Sequence, residues 1–362
     1  MPGLYIHIPF CRKKCGYCDF ASVAGEGRVD AYLEALAKEA GAYTVPPDGF
    51  DTLYIGGGTP SLLSSTQLKN LLVLTSDLTG PISKLREATF EANPESLDTE
   101  KAGLLKSAGI SRVSLGLQAA QNRLLRRLGR IAMAEDFERA YKTLRAAGFD
   151  NINADLMCGL PDQKVADFME SLSWLLAMRP EHISLYALEV HEGTPFHREG
   201  ITEAPDASAD MYEMAAKALE RAGLKRYEIS NFARENRRSL HNLNYWEQGS
   251  YLGLGASASS YLAGERRTNT ADLETYISSA LADGHPRAGC GETLTGRAKK
   301  AERIMLGLRK TEGIELEDDI IVEFSEEIGR LLSLGLIEKK GPVIKIKSDK
   351  LYLSNAVFRE FV

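Results

Sequence analysis

The chain has 362 residues, 44% of them hydrophobic and 26% charged, with a formal net charge of −6. That composition fits a globular protein of about two domains, or one barrel with an appendage, and argues against an extended nucleic-acid surface. No apolar run approaches the roughly 20 residues that span a bilayer, the N-terminus carries no secretory pattern, and five cysteines then point to a reducing cytoplasm, not to disulfides.

The first predicted element is a β-type run, Leu4 to Ile8, which leads through Pro9 into Cys11, Cys15 and Cys18. Three thiolates spaced C-x-x-x-C-x-x-C in one loop are able to converge on one centre. A 4Fe–4S cube normally takes four protein ligands, so three leave one iron open, as catalytic metal sites keep one position open. The alternative is a structural zinc site with His7 as fourth ligand, although zinc ribbons pair two knuckles far apart and no second knuckle follows.

Apolar spacing predicts a helix over Val29 to Ala42, and Phe50 to Ile55 reads as a strand that stops at Gly56-Gly57-Gly58-Thr59-Pro60. Helices follow at Leu68 to Leu78, Thr99 to Ser107, Ala134 to Ala147, Phe168 to Ala177 and Ala209 to Ala222. Between them lie predicted strands at Ala88 to Glu91, Arg112 to Leu117, Asn151 to Met157 and His182 to Leu188, with a last short one at Arg226 to Ile229. This alternation predicts βαβ units and a parallel α/β barrel, left incomplete at six or seven strands. Working residues of such barrels sit in the loops after the strands. Here those places hold the three cysteines, the triple glycine, Glu91, Gln118, Asp155 and the Ala187 to Glu189 stretch. A glycine run lets backbone approach a ligand closely, and equally makes a tight turn with Pro60 at the helix entry. Glu91 and Asp155 taken singly read as solvated strand ends; their position beside the cysteine loop makes them candidates. Cys158, with no cysteine nearby, reads as a small buried packing residue.

Beyond the barrel, Leu240 to Trp246 (LHNLNYW) puts one imidazole beside two aromatics, a pattern also common where a loop packs on a core. A run of small residues follows from Tyr251. Helices are then predicted over Thr295 to Leu308 and Glu323 to Leu334, with β-type runs at Leu336 to Glu338, Val343 to Ile346 and Leu351 to Leu353. Helices followed by a hairpin predict a small winged-helix-like domain. Its acidic residues, from Glu315 to Glu327, favour packing or protein contact over DNA. The expected divisions are a barrel core over 1–235, a connecting region over 236–294 and a small C-terminal domain over 295–362.

Five motifs carry a resemblance: Y-x-H-I-P-F-C at Tyr5 to Cys11, GGGTP at Gly56 to Pro60, E-x-N-P at Glu91 to Pro94, L-G-x-Q at Leu115 to Gln118, and D-L-x-x-G-L-P at Asp155 to Pro161. With them the chain resembles, over nearly its whole length, the radical S-adenosylmethionine (SAM) proteins of the oxygen-independent coproporphyrinogen III dehydrogenase (HemN-like) group, and within it the haem chaperone branch, HemW. The resemblance implies a 4Fe–4S cluster on Cys11, Cys15 and Cys18, with SAM chelating the open iron. It implies further cofactor contacts from Tyr5, Tyr17, Gly57, Gly58, Thr59, Glu91, Gln118, Arg130, Asp155 and Ala187; Arg130 suits a carboxylate, though NRLLRRLGR also reads as a plain basic helix end. The dehydrogenases carry a fourth cysteine where this chain has Phe20, and a longer segment before the first cysteine than the ten residues here. H-N-x-x-Y-W at His241 to Trp246 looks like the haem-binding segment of the chaperone branch: a neutral imidazole is a good axial ligand, and Tyr245 and Trp246 suit a porphyrin face. The expected function is therefore haem binding and delivery to haem-requiring proteins in the cytoplasm. Radical decarboxylation of coproporphyrinogen and a zinc scaffold stand as alternatives. No nucleic acid and no integral membrane segment are expected, while a homodimer and peripheral membrane contact stay open.

Overall fold

The strands of the first half of the chain alternate polar and apolar side chains, and in the structure both sets are buried. The computed structural model describes residues 2–44 and 46–361. Six parallel strands follow one another in order: β1 (Gly3–Ile8), β2 (Thr52–Gly57), β3 (Glu87–Ala92), β4 (Arg112–Gln118), β5 (Ile152–Cys158) and β6 (His182–Ala187). Their crossovers hold α1 (Val29–Ala42), α2 (Ser65–Thr79), α3 (Thr99–Ala108), α4 (Ala134–Ala146) and α5 (Val165–Ala177), with α6 (Pro205–Arg221) after β6. Leu4, Ile6, Leu53, Ile55, Phe90, Val113, Leu115, Ala154 and Ile183 are fully buried in one apolar cluster with helix residues such as Leu36, Leu68, Leu105 and Leu144. Cys158 lies in the same cluster, as a packing residue. The intervening residues, among them Tyr54, Glu91, Arg112, Ser114, Asn153, Asp155 and Ser184, line a cavity on the concave side. Most α/β barrels fill that interior with branched aliphatics. This one fills it with polar groups, and so keeps room for a ligand.

The sheet is larger than the sequence suggests, with twelve strands in one layer. At one end β7 (Asn231–Ala233) runs antiparallel to β6 and pairs with Lys225 and Arg226, so that of the strand expected at Arg226 to Ile229 only Arg226 lies in the sheet. The chain turns there instead, because the Arg226 guanidinium folds back to donate to the Ile229 carbonyl (2.6 Å). At the other end, the region expected to be a connection over 236–294 continues the sheet. It contains helix α7 (Leu240–Trp246), then β8 (Tyr251–Leu254) parallel to β1. An antiparallel meander follows, β9 (Ser259–Leu262), β10 (Glu265–Asn269) and β11 (Ala288–Thr293), interrupted by α8 (Leu273–Asp283), so no division of the sheet falls at residue 235. A buried carboxylate ties this extension to the barrel: Glu39 of α1 accepts from Tyr276 Oη (2.6 Å), Asn269 Nδ2 (2.7 Å) and the Gly255 amide (2.8 Å).

The C-terminal part has its own apolar cluster, including Ile304, Leu308, Phe324, Leu331, Ile344 and Val357. Helix α9 (Gly296–Gly307) is followed by a three-stranded sheet of β12 (Ile314–Glu315), β13 (Ile337–Lys340) and β14 (Val343–Ile346). Two corrections to the sequence reading arise here. The helix expected over Glu323 to Leu334 runs Ser325–Ser333, and a separate helix, Asp318–Glu323, which the sequence reading did not include, precedes it across a break at Phe324, whose ring is buried in the core. The run Leu351 to Leu353 is part of a 3₁₀ turn, Ser348–Leu353, and the third strand comes from Ile314–Glu315 instead. That turn buries Leu351 and sets Tyr352 against the barrel, where its hydroxyl donates to the Pro205 carbonyl (3.1 Å).

Candidate functional site

The cysteine loop leaves the C-terminal end of β1 and is stitched to the strand-to-helix turn after β2. The Gly58 amide donates to the Ile8 carbonyl and the Thr59 amide to the Phe10 carbonyl (both 2.8 Å), while Thr59 Oγ1 lies 3.4 Å from Cys11 Sγ. Gly16 anchors the middle of the loop, donating to the Leu128 carbonyl and accepting from the Phe196 amide (both 2.9 Å). His7 Nε2 donates to the Ala21 carbonyl, so Nδ1 accepts from the Tyr5 hydroxyl (both 2.8 Å), and burial holds the imidazole below its ordinary pKa. With both nitrogens engaged, His7 fastens the end of the loop and is not placed as a zinc ligand. The thiols of Cys11, Cys15 and Cys18 are half-buried on one cavity wall; among the described residues, no three His, Cys, Asp or Glu side chains are gathered closely enough to hold a metal ion as they stand.

That cavity, of about 630 Å³, brings together most of the residues singled out in the sequence. Besides the three cysteines it is lined by Tyr17, Gly57, Gly58, Thr59, Glu91, Gln118, Arg130, Asp155 and Ala187. Two of the polar groups have atoms left over: Gln118 Oε1 and Arg130 Nε are buried without a partner, although Arg130 Nη2 donates to the Gly116 carbonyl (3.0 Å). Gln118 also holds φ at 74°, a strained conformation for a side chain of its size. An unmet acceptor and an unmet donor on one wall fit a small zwitterionic ligand.

Tyr5 lies in a second cavity, of about 490 Å³, walled by Tyr245, Trp246, Tyr251 and Tyr261 and meeting the first at Phe20, Gly57 and Glu91, which line both. His241 lines neither. It is fully buried on α7, which closes the N-terminal end of the barrel: the Glu87 carboxylate accepts from the Leu240 (2.9 Å) and His241 (3.1 Å) amides. His241 Nδ1 shares a 2.8 Å hydrogen bond with Thr52 Oγ1 and Nε2 another of 2.8 Å with the Tyr245 hydroxyl. Burial pushes its pKa down to about 3. The Tyr245 hydroxyl thus stands between the imidazole and the aromatic cavity.

Sequence reasoning missed the interior polar layer: Arg112, Ser114, Asn153, Ser184 and Tyr186 all face the larger cavity. Its signal was present as alternation of polar and apolar residues, in RVSLGLQ, INADL and HISLY.

Glu91 sits on the shared wall, with its carboxylate accepting from Tyr54 Oη (2.5 Å) and the Gly57 amide (3.0 Å). Burial, with the nearby Asp155 carboxylate adding to it, raises its pKa to about 7. The folded state therefore holds this proton more tightly than the unfolded chain does. The stabilisation is complete below the ordinary carboxylate range and is lost as pH rises through about 7. Urea unfolding at pH 5 and pH 8 is expected to differ by on the order of 2–3 kcal/mol more in the wild type than in Glu91→Gln. Equal pH slopes for the two proteins would refute the assignment.

Comparison with known proteins agrees with this geometry. The Radical SAM superfamily profile matches residues 5–175. The solved structure of coproporphyrinogen III oxidase (HemN) from Escherichia coli superposes with a TM-score of 0.85, over 99% of this chain and 90% of that one, at 23% identity, a likeness of fold. The partial barrel with its cysteine loop is a radical SAM fold. Across its full length the chain is 37% identical to the heme chaperone HemW of Bacillus subtilis, covering 99% of that protein, and it is 35% identical to the heme chaperone HemW of Lactococcus lactis, covering 96%. The chain belongs to the heme chaperone HemW family. Among the described residues no helix is long and apolar enough to cross a membrane.

Proposed function

We propose that this protein binds haem and passes it to haem-requiring proteins, respiratory enzymes among them, while carrying a 4Fe–4S cluster on Cys11, Cys15 and Cys18 and SAM in the larger cavity. The observation that carries the haem reading is the second cavity: about 490 Å³, within the usual range for small-molecule sites, and walled by Tyr245, Trp246, Tyr251 and Tyr261. In the larger cavity, the donor set suits SAM. Gln118 Oε1 and Arg130 Nε are unmet, and Glu91, Asp155 and the backbone at Gly57 and Gly58 surround the same space. When bound, the cluster and SAM would supply one-electron chemistry, and Gln118, Arg130, Glu91, Asp155 and the Gly57–Gly58 backbone are the groups that would hold SAM. All five cysteines are free thiols, which suits the reducing cytoplasm that a thiolate-held cluster needs.

In this reading His241 would hold the haem iron only after α7 shifts, because its imidazole is fully buried behind the Tyr245 hydroxyl and lines neither cavity. Its imidazole is held neutral, the form that ligates iron, and Tyr245 must release Nε2 for it to do so. The test is a haem titration followed at the Soret band. The wild type should bind saturably. His241→Ala should bind ~10–100-fold more weakly, at least the loss seen when a ligand's supporting partner is removed. Tyr245→Phe, which keeps the aromatic wall and frees Nε2, should bind no more weakly than wild type. Wild-type protein without saturable binding would sink the haem reading; undiminished binding by a folded His241→Ala would move the ligand elsewhere.

A further inference from the structure

Phe20, at the end of the cysteine loop, is 62% exposed, yet its backbone is fixed on both sides. Its own carbonyl accepts from Lys14 Nζ (2.9 Å), and the next one, of Ala21, is held by His7 (2.8 Å). The Val23 amide then ties the returning chain to the Pro9 carbonyl (2.7 Å). The ring is therefore presented at a set place, the junction of the two cavities, and it lines both. A lone exposed phenylalanine on an open surface means little. Here the two sides of the junction differ in what they offer the ring. The larger cavity carries Lys14, Asp19, Arg130 and Asp155, polar groups that a phenyl ring would only strip of water. The smaller one has Tyr5, Tyr245, Trp246, Tyr251 and Tyr261, an aromatic lining that Phe20 extends.

We propose that Phe20 is the cysteine loop's contact with the porphyrin plane, and that its ring closes the passage between the cavities, so that haem is held apart from the ligand of the larger one. This rests on the haem reading above and adds a binding residue to that site. A flat aromatic ligand laid on the ring covers apolar surface that is otherwise exposed to water. Because the backbone is already fixed, little ordering opposes the gain. Gly57 and Glu91 are also shared by the two cavities. Glycine has no side chain, and the Glu91 carboxylate is held by Tyr54 and the Gly57 amide, so Phe20 is the side chain free to fill the opening.

The experiment titrates haem, metal-free protoporphyrin IX and SAM separately into wild type, Phe20→Ala and Phe20→Tyr carrying the cluster, then repeats both porphyrins at saturating SAM. Iron content and thermal unfolding control for damage to the loop. Loss of the exposed part of a phenyl ring predicts roughly 5- to 25-fold weaker binding of both porphyrins by Phe20→Ala, whereas Phe20→Tyr, which keeps the ring, stays close to wild type. Equal losses for the two porphyrins place the contact on the ring system and not on the iron. SAM should leave porphyrin binding unchanged in the wild type and weaken it in Phe20→Ala, where the opened passage lets the two ligands collide. Weaker porphyrin binding without that competition would keep the contact and overturn the closure. Iron-replete Phe20→Ala that binds both porphyrins as wild type would overturn the contact, as would a loss confined to SAM, which would assign the ring to the larger cavity. Should Phe20→Ala lose its cluster, Phe20→Leu decides by the same readout. A wild type that takes protoporphyrin but no haem would reject iron ligation alone, and the Phe20 comparison still runs; a wild type that binds neither overturns both.

Discussion

Alanine at any one of Cys11, Cys15 or Cys18 is expected to abolish the iron–sulfur cluster, while alanine at Cys158 or Cys290 leaves it intact. A cube held by three thiolates already lacks one protein ligand, and with two the remaining irons fall to solvent. Cys158 is buried in the barrel's outer apolar cluster and Cys290 is exposed on the edge strand β11, so neither is placed to substitute. Anaerobically reconstituted wild type should contain about four irons per chain, each loop variant close to none, with loss of the broad charge-transfer absorption. Zinc instead of iron in anaerobically purified protein, or iron retained in a loop variant, would refute the assignment. His7→Ala separates the two metal readings. A zinc site that used His7 would lose its metal, whereas a cluster tolerates the change as far as the loop stays anchored without the bond to the Ala21 carbonyl.

How much of this was legible in the sequence depended on whether a feature was local. The helix over Val29 to Ala42 was read to the residue, because its apolar spacing is intrinsic to fourteen consecutive positions. The cysteine spacing and the motifs at the ends of the strands were read for the same reason, and the barrel's closure brings nine of the ten expected cofactor contacts to one cavity. Tyr5 falls on the far side of Glu91 because its strand lies next to β8, which the sequence did not reveal. β10 (ERRTN) and β11 (AGCGET) carry no apolar run, and β11 is exposed throughout, so hydrophobic patterning had nothing to detect. They are strands because they extend the ladder, β10 pairing antiparallel with β9 on one side and with β11 on the other. The place of His241 was also beyond reach. H-N-x-x-Y-W announces an imidazole next to aromatics, but its burial depends on Thr52 and Glu87, which precede it by more than 150 residues.

Gly57→Ala is expected to destabilise the protein by roughly 2–4 kcal/mol before any ligand is added. The triple glycine invites the view that bare backbone is needed for a ligand, and the geometry supplies a prior demand. Gly57 holds φ at +112°, where an L side chain is strained, and a Cβ there would stand 2.5 Å from His7 Cε1. Gly58 is pressed as hard, its Cβ falling 2.8 Å from the Phe10 carbonyl oxygen. His7 cannot yield cheaply, because its two ring nitrogens hold Tyr5 and the Ala21 end of the cysteine loop. The substitution therefore pushes on the loop that carries the cysteines and on the Tyr5 wall of the aromatic cavity together. Urea or thermal unfolding of cluster-free protein is the measurement. A fall in stability on that scale places the requirement within the chain itself, whereas an unchanged midpoint with weakened SAM binding would mean that the glycine serves the ligand alone. The same clash predicts that a Gly57→Ala chain which does fold will assemble less cluster, because the loop end at Ala21 has been displaced along with His7.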